Sequence, residues 1–286
     1  MNLKFIKRII KRFLIKEPSG FVLRIEATSY CNQQCYFCPQ SRYHLKNRIM
    51  PMDMFKRIID SIYELKIPIW AFEFTGMCEP LTDPYLFERC EYARKVTGNF
   101  VLYTNGKLLN ERALKKINKV FSRVYFSLHG STPEEYESYS GNKFEVMKEK
   151  LFLAKEILGD KLILLNYPEG KLARVLGIER YQVHPFHNWM DEEIAEKTNS
   201  SMAGCKYCPL TKLIFFRVNG SLGTCGNDWD NINDILNFDF PLCSKCYSKD
   251  HFSELLNTGR ISEFVVLLKR LVNRIEEKNR EVIMHG

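Results

Sequence analysis

The chain has 286 residues, 45% of them hydrophobic and 27% charged, which suits one large globular domain, or a large and a small one, and excludes a disordered or collagen-like chain. It contains no apolar run of the about 18 residues a spanning helix needs and no signal peptide, which excludes a helical membrane protein and makes a cytoplasmic location the expectation. The net charge of +8 is local: residues 1–16 hold six of the 42 basic residues and no acid, leaving 36 basic against 34 acidic residues elsewhere, which disfavours a broad nucleic-acid face and DNA binding.

In residues 1–20, Leu3, Ile6, Ile10 and Phe13 recur at helical spacing among the basic residues, so an amphipathic N-terminal helix is predicted. Its plainest role is to close the bottom of the main domain. The alternatives are docking on an anionic membrane surface through residues 1–16, or on an acidic electron donor. Residues 21–190 then repeat one rhythm of β-branched or aromatic run, turn signal and helical pattern. Strands are predicted at 21–28, 69–76, 99–106, 123–130, 161–168 and 181–188, with helices at 53–66, 84–97, 110–119, 133–158 and 169–178. Alternation of this kind implies an α/β fold with a parallel sheet and right-handed crossovers. Six units are two short of the closed eight-fold barrel, so an open, partial (β/α)6 TIM-like barrel is predicted. A polar linker follows at 190–204. Residues 205–250 hold five cysteines and suit a small module built round a metal centre. Residues 251–286 return to helix, with Phe264, Leu267, Leu268, Leu271 and Ile275 on one packing stripe.

Ten cysteines in such a chain point to metal or cluster chemistry rather than disulfides. Cys31, Cys35 and Cys38 directly follow the first predicted strand. Zinc or an ordinary ferredoxin-type cluster wants four protein ligands, and this loop offers three. Three thiolates on a cubane cluster leave one iron open to bind a small molecule and pass it an electron.

The C-x3-C-x2-C run, with Phe37 just before the third cysteine, resembles the radical S-adenosylmethionine (radical SAM) enzymes. The resemblance implies a six-stranded partial barrel and a 4Fe–4S cluster on Cys31, Cys35 and Cys38. Its open iron would chelate SAM, which one electron from a flavodoxin- or ferredoxin-type donor then cleaves to methionine and a 5′-deoxyadenosyl radical. Gly76-Met77-Cys78-Glu79-Pro80 resembles the family's Gly-Gly-Glu-Pro turn, in which backbone and carboxylate hold the SAM amino group, so Gly76, Glu79 and Pro80 become candidate SAM contacts. Asn105, at the end of the third strand, and Ser127, at the end of the fourth, stand where the family also contacts SAM. Asn166 and Val183 are candidates for ribose and adenine, and Phe37 would flank the adenine.

The C-terminal cysteines leave two readings open. Cys205, Cys208, Cys243 and Cys246 form paired C-x2-C knuckles of the kind that hold zinc. Alternatively, Cys208, then Gly220-x4-Cys225, then Cys243-x2-Cys246 resembles the SPASM/twitch extensions of radical SAM enzymes. That resemblance implies one auxiliary 4Fe–4S cluster on Cys208, Cys225, Cys243 and Cys246, with Cys205 spare or replacing Cys208. Zinc would leave Cys225 idle. Cys78 reads as a turn residue and Cys90 as a helix core residue.

His129 and His187 are the candidates for substrate contact or proton transfer; by strand alternation Val183 and His187 share a face, expected to be the barrel interior. The expected function is hydrogen-atom abstraction by a radical SAM enzyme, with oxidation of a small alcohol, sugar or aminocyclitol and the auxiliary cluster as electron acceptor. Peptide maturation is the alternative. A zinc-containing binding protein and an RNA-modifying enzyme anchored by the basic arm stand further off.

Overall fold

The computed structural model describes residues 20–42, 48–166, 169–183, 211–224, 235–237, 239 and 249–285. The predicted N-terminal helix lies outside them. Strands β1 (Phe21–Ile25), β2 (Ile69–Phe74), β3 (Phe100–Thr104), β4 (Arg123–Ser127), β5 (Leu162–Leu165) and β6 (Tyr181–Gln182) pair in parallel, each with the next. Two further strands, β7 (Leu213–Phe216) and β8 (Leu222–Gly223), extend the sheet on the β1 side, β7 parallel to β1 and β8 antiparallel to β7. The order is β6-β5-β4-β3-β2-β1-β7-β8. All six predicted strands of the partial barrel are present, and β1 to β4 end before their predicted C-terminal limits because the chain leaves the ladder there to form loops.

The addition of β7 was not foreseen. Leu213-Ile214-Phe215-Phe216 is a continuous apolar run with all four residues buried, the pattern of a parallel strand covered on both faces. Part of the stretch expected to form a small module therefore belongs to the main sheet.

The helices follow their apolar stripes and caps. α1 (Pro39–Arg42) is a single turn after the cysteine loop, and α2 (Met52–Glu64) buries Phe55, Ile58, Ile59 and Ile62. α3 (Leu86–Ala93) follows a short turn at Pro80–Thr82. α4 (Glu111–Val120) is capped by Asn110, whose Oδ1 accepts the Ala113 N–H at 2.9 Å. The predicted helix 133–158 is two helices, α5 (Pro133–Ser140) and α6 (Phe144–Leu158), because Gly141 takes a left-handed φ of 69° and closes the first. α7 (Lys171–Val175) leads into β6. α8 (Lys249–Asn257) and α9 (Arg260–His285) complete the described chain. Phe264 of α9 stacks on Phe21 at 5.6 Å, and Arg274 and Lys278 pair with Glu64 of α2. The predicted stripe on α9 is therefore packing surface: Phe264, Leu268 and Leu271 are buried, and Leu267 and Ile275 lean on the same core.

The sheet has two unlike faces. Leu23, Ile25, Phe72, Phe74, Leu102, Val124, Phe126, Leu164, Ile214 and Phe216 point outward into the main core under the helices. Alternate residues line the inner face, where Ala71, Val101, Tyr125, Ile163 and Leu165 form a second, smaller cluster. Since the strands from β1 to β6 are parallel, their C-terminal ends gather the loops that follow them at one rim.

Beneath that rim lies a buried ion pair. Arg89 Nε donates to Asp83 Oδ2 at 2.7 Å, both side chains being almost wholly enclosed, and Arg89 Nη2 donates to Met50 O. Asp83 Oδ1 accepts the Tyr85 N–H just ahead of α3. Arg89→Ala would leave Asp83 enclosed without its partner, and a loss of about 3–5 kcal/mol in denaturant unfolding is expected. A loss under 1 kcal/mol would show that the pair is not a support of the rim.

Candidate functional site

The cysteine loop leaves β1 at the rim and is pinned on every side. Tyr30 N–H bonds Thr28 Oγ1, and Gln40 Nε2 donates to Ser29 O at 2.9 Å. The Glu79 N–H donates to Tyr30 O at 2.8 Å. Asn105 Nδ2 donates to Asn32 Oδ1 at 2.8 Å and reaches Cys31 Sγ at 3.8 Å, while Lys107 Nζ donates to Asn32 O. Within the loop, Cys38 N–H bonds Cys35 O, and Tyr36 N–H bonds Tyr139 O of α5.

Burial pushes the thiols of Cys31 and Cys35 above their ordinary range, and each feels the negative charge of its neighbours: Cys38 and Cys31 for Cys35, Glu79 for Cys31. Bound iron would supply the positive charge that lets such thiols ionise. Three soft donors on one short loop, close enough to couple electrostatically, fit the three ligands of a cubane cluster. Among the described residues no three Cys, His, Asp or Glu side chains converge as on a single metal ion. Thiolates that each hold a different iron do not need to.

Phe37 is buried beside the loop, in edge-to-face contact with the His129 ring at 5.7 Å and with Tyr139. The structure thus brings together Phe37 and His129, predicted from separate motifs. Tyr139, the third wall of this aromatic corner, was missed; it sits in a polar helix pattern that gave no signal.

The turn after β2 is built around Glu79. Its side chain is 1% exposed, and burial pushes its carboxyl up to about 7 against the N–H of Asn105, the Thr104 hydroxyl and the N–H of Leu81. Thr104 Oγ1 donates to Oε1 at 2.7 Å, Asn105 N–H to Oε2 at 2.6 Å and Leu81 N–H to Oε1 at 3.2 Å. Pro80, buried, opens the short helical turn that Glu79 caps. With both oxygens engaged by the protein's own donors, the carboxylate serves as a strand-end tie.

Gly76 has no room for a side chain, because a Cβ there would lie 2.8 Å from Glu26 Cγ and Oε1. Glu26, missed from sequence, is buried at the end of β1, and its Oε1 accepts the Met77 N–H at 2.7 Å. Burial raises its carboxyl pKa, opposed by the Met77 N–H, the Arg217 charge and the Val218 N–H.

Ser127, half-buried at the end of β4, shares the inner face with Tyr125. Asn166 is fully buried and spends both Nδ2 hydrogens on Leu128 O and Gly130 O, while its Oδ1 accepts the Ala173 N–H. It ties the ends of β4 and β5 to the start of α7. Val183 was expected to face the interior. In the β5–β6 register Gln182 lies opposite Leu165 on the inner face, so Val183 falls on the outer side with Tyr181, where both side chains crowd Gly170. His187 and the cysteines Cys205, Cys208, Cys225, Cys243 and Cys246 lie outside the described residues.

The inner face also carries ionic residues that sequence reasoning passed over. Arg24 Nε and Nη2 both donate to Glu73 Oε2, at 3.1 and 2.6 Å. Tyr103 Oη donates to Glu73 Oε1 at 3.4 Å, and the Tyr103 ring stacks on Tyr125 at 4.5 Å. The signal was present. In Leu23-Arg24-Ile25-Glu26 and Phe72-Glu73-Phe74, charged residues alternate with buried apolar ones, as a polar interior requires.

Glu79→Ala would strip three donors of their acceptor, and a destabilisation of about 2–4 kcal/mol in denaturant unfolding is expected. Glu79→Gln keeps one acceptor oxygen and should lose less than half as much. Equal losses would contradict the tie.

Comparison with known proteins places this geometry. The Radical SAM superfamily model matches residues 25–169. A probable GTP 3′,8-cyclase of Methanococcus aeolicus is 30% identical over 150 residues, 51% of this chain and 49% of that one. The dTDP-4-amino-4,6-dideoxy-D-glucose ammonia-lyase of Streptomyces venezuelae is 31% identical over 143 residues, 48% of this chain and 29% of that protein. Each match thus spans less than half of the relative. Among solved structures, BtrN in complex with AdoMet and 2-DOIA shares the fold with a TM-score of 0.51 at 19% identity, over 88% of this chain and 87% of that one. A structure with bound AdoMet and peptide shares it to the same degree, TM-score 0.51 at 16% identity, over 90% of this chain and 99% of that one.

Proposed function

Because this chain belongs to the radical SAM superfamily, we propose that it oxidises a small alcohol-bearing substrate, such as a sugar, nucleotide sugar or aminocyclitol, by hydrogen-atom abstraction. The observation that carries the proposal is the polar inner face of the barrel, with Arg24, Glu73, Tyr103 and Ser127 below the cysteine loop, where a hydroxyl-rich molecule would find donors and acceptors. The relatives whose names give a nucleotide and a nucleotide sugar as substrates support the same class.

Cys31, Cys35 and Cys38 would hold the 4Fe–4S cluster. When bound together, cluster and SAM supply the 5′-deoxyadenosyl radical that takes the hydrogen atom. The chain's own part is placement. Asn105, Asn32 and Lys107 fix the loop, Glu79 and Glu26 set the turn that meets the methionyl end of SAM, and Phe37 with Tyr139 forms an aromatic wall for the adenine. His129, against Phe37, takes the proton of the alcohol as its carbon becomes a carbonyl. Cys208, Cys225, Cys243 and Cys246, with Cys205 in reserve, would hold an auxiliary 4Fe–4S cluster that supplies an electron acceptor. The Gly220-x4-Cys225 spacing supports this assignment, its glycine at the tip of the β7–β8 hairpin.

Purified, reconstituted enzyme offered nucleotide sugars, aminocyclitols and peptides, with 5′-deoxyadenosine quantified, tests the substrate class. Stimulation by a sugar or cyclitol is expected, and strict dependence on a peptide would overturn it. Cys35→Ala should lower SAM cleavage to the level of the protein-free reaction. Cys225→Ala should spare cleavage but block net oxidation, and full oxidation by that variant would contradict the acceptor role.

A further inference from the structure

Among the described residues, the inner face of the strands carries Arg24 on β1, Arg123 on β4 and Arg217 just past β7, with the carboxylates Glu26 and Glu73. Arg24 is matched by Glu73, which takes both donors on the Nε–Nη2 edge of its guanidinium. Arg123 lies over the Trp70 ring at 5.5 Å, near the opposite end of the sheet. Arg217 differs from both. It is 9% exposed, and its Nε and Nη2 are enclosed with no hydrogen-bond partner. A guanidinium does not shed its charge, and a buried donor edge is costly to leave unmade, so a site that keeps one has a use for it.

The position of that edge indicates the use. Arg217 extends the β7 alternation that puts Phe215 inward, and its guanidinium packs over the Phe215 ring at 5.2 Å, with Arg24 on the same ring at 5.9 Å. Gly223 of β8 leaves the space, since a Cβ there would lie 2.7 Å from Phe215 and 3.3 Å from Arg217 Nε. Beside it stands Glu26, which already accepts the Met77 N–H; its carboxyl feels the Arg217 charge but takes no hydrogen bond from the Nε–Nη2 edge. The Nε–Nη2 edge presents two parallel N–H donors, the geometry that takes two oxygens of a carboxylate or phosphate at once.

We propose that Arg217 anchors an anionic group of the substrate, a carboxylate or a phosphate, at the rim of the barrel beside the turn at Gly76–Met77. The assignment rests on the substrate-oxidising function proposed above and adds that the small substrate is an acid or a phosphate ester. The fork fixes the orientation of the substrate, and so decides which carbon meets the radical.

The test uses cluster-loaded enzyme saturated with SAM, titrated calorimetrically with inorganic pyrophosphate and, separately, with succinate. One of the two should bind the wild type and so tell phosphate from carboxylate. That binding should weaken at least tenfold in Arg217→Gln, weaken less in Arg217→Lys, which keeps the charge without the fork, and stay unchanged in Arg174→Gln, an exposed arginine on α7. Should Arg217→Gln fail to fold, Arg217→Lys decides: affinity equal to wild type overturns the proposal. It is equally overturned if neither anion binds the wild type, if Arg217→Gln binds as the wild type does, or if the variant loses affinity for SAM rather than for the anion. Anion binding is read without turnover, so its failure is distinct from absence of SAM cleavage, which would instead overturn the proposed chemistry.

Discussion

The side chain of Glu79 accepts hydrogen bonds from the end of β3 and from its own turn, while its backbone N–H reaches the residue before Cys31. Three successive loops of a parallel sheet are thereby joined through one buried carboxylate. Such a carboxylate is costly to enclose unless every oxygen is met by a donor, so its position is over-determined once the donors are in place. The cysteine loop, the turn after β2 and the Thr104-Asn105-Gly106 end of β3 are thereby tied to one another. Asn105 extends the tie by bonding Asn32 inside the cysteine loop. A cluster that must deliver one electron across a short distance needs this kind of rigid frame.

The two faces of the sheet differ in chemistry. The outer face is apolar and packs under the helices; the inner face mixes a small apolar cluster with Arg24, Glu73, Tyr103 and Arg217. Placing β7 against β1 matters here, because it brings Phe215 and Arg217 to the interior close to Glu26 and the Gly76–Met77 turn. The β7–β8 hairpin is thus tied into the same sheet as the strand that leads to the cysteine loop.

Much of this was legible in the chain itself. Six β/α units, the three-cysteine loop, the packing stripe of α9 and the turn at Gly76 could be read because each is local: a period, a spacing or a run of turn residues. The break between α5 and α6 at Gly141 was written in Ser140-Gly141-Asn142 but was outweighed by helical pattern on both sides. Contacts between distant segments were harder. Nothing local says that Glu79 spends its oxygens on β3, that Asn166 spends its amide on β4, or that Leu213–Phe216 joins β1. Val183 fell on the outer side because the register of β6, set by its pairing with β5, decides the face, and a one-residue difference reverses it.

If Cys31, Cys35 and Cys38 hold a cluster with an open iron, that iron binds SAM. Electron paramagnetic resonance of the reduced, anaerobically purified protein, with and without SAM, tests it most directly when iron and sulfide are measured on the same sample. At least about four irons per chain are expected, with a 4Fe–4S signal that shifts when SAM is added. A fully loaded protein whose signal is indifferent to SAM, or one that takes up no iron on reconstitution, would contradict it.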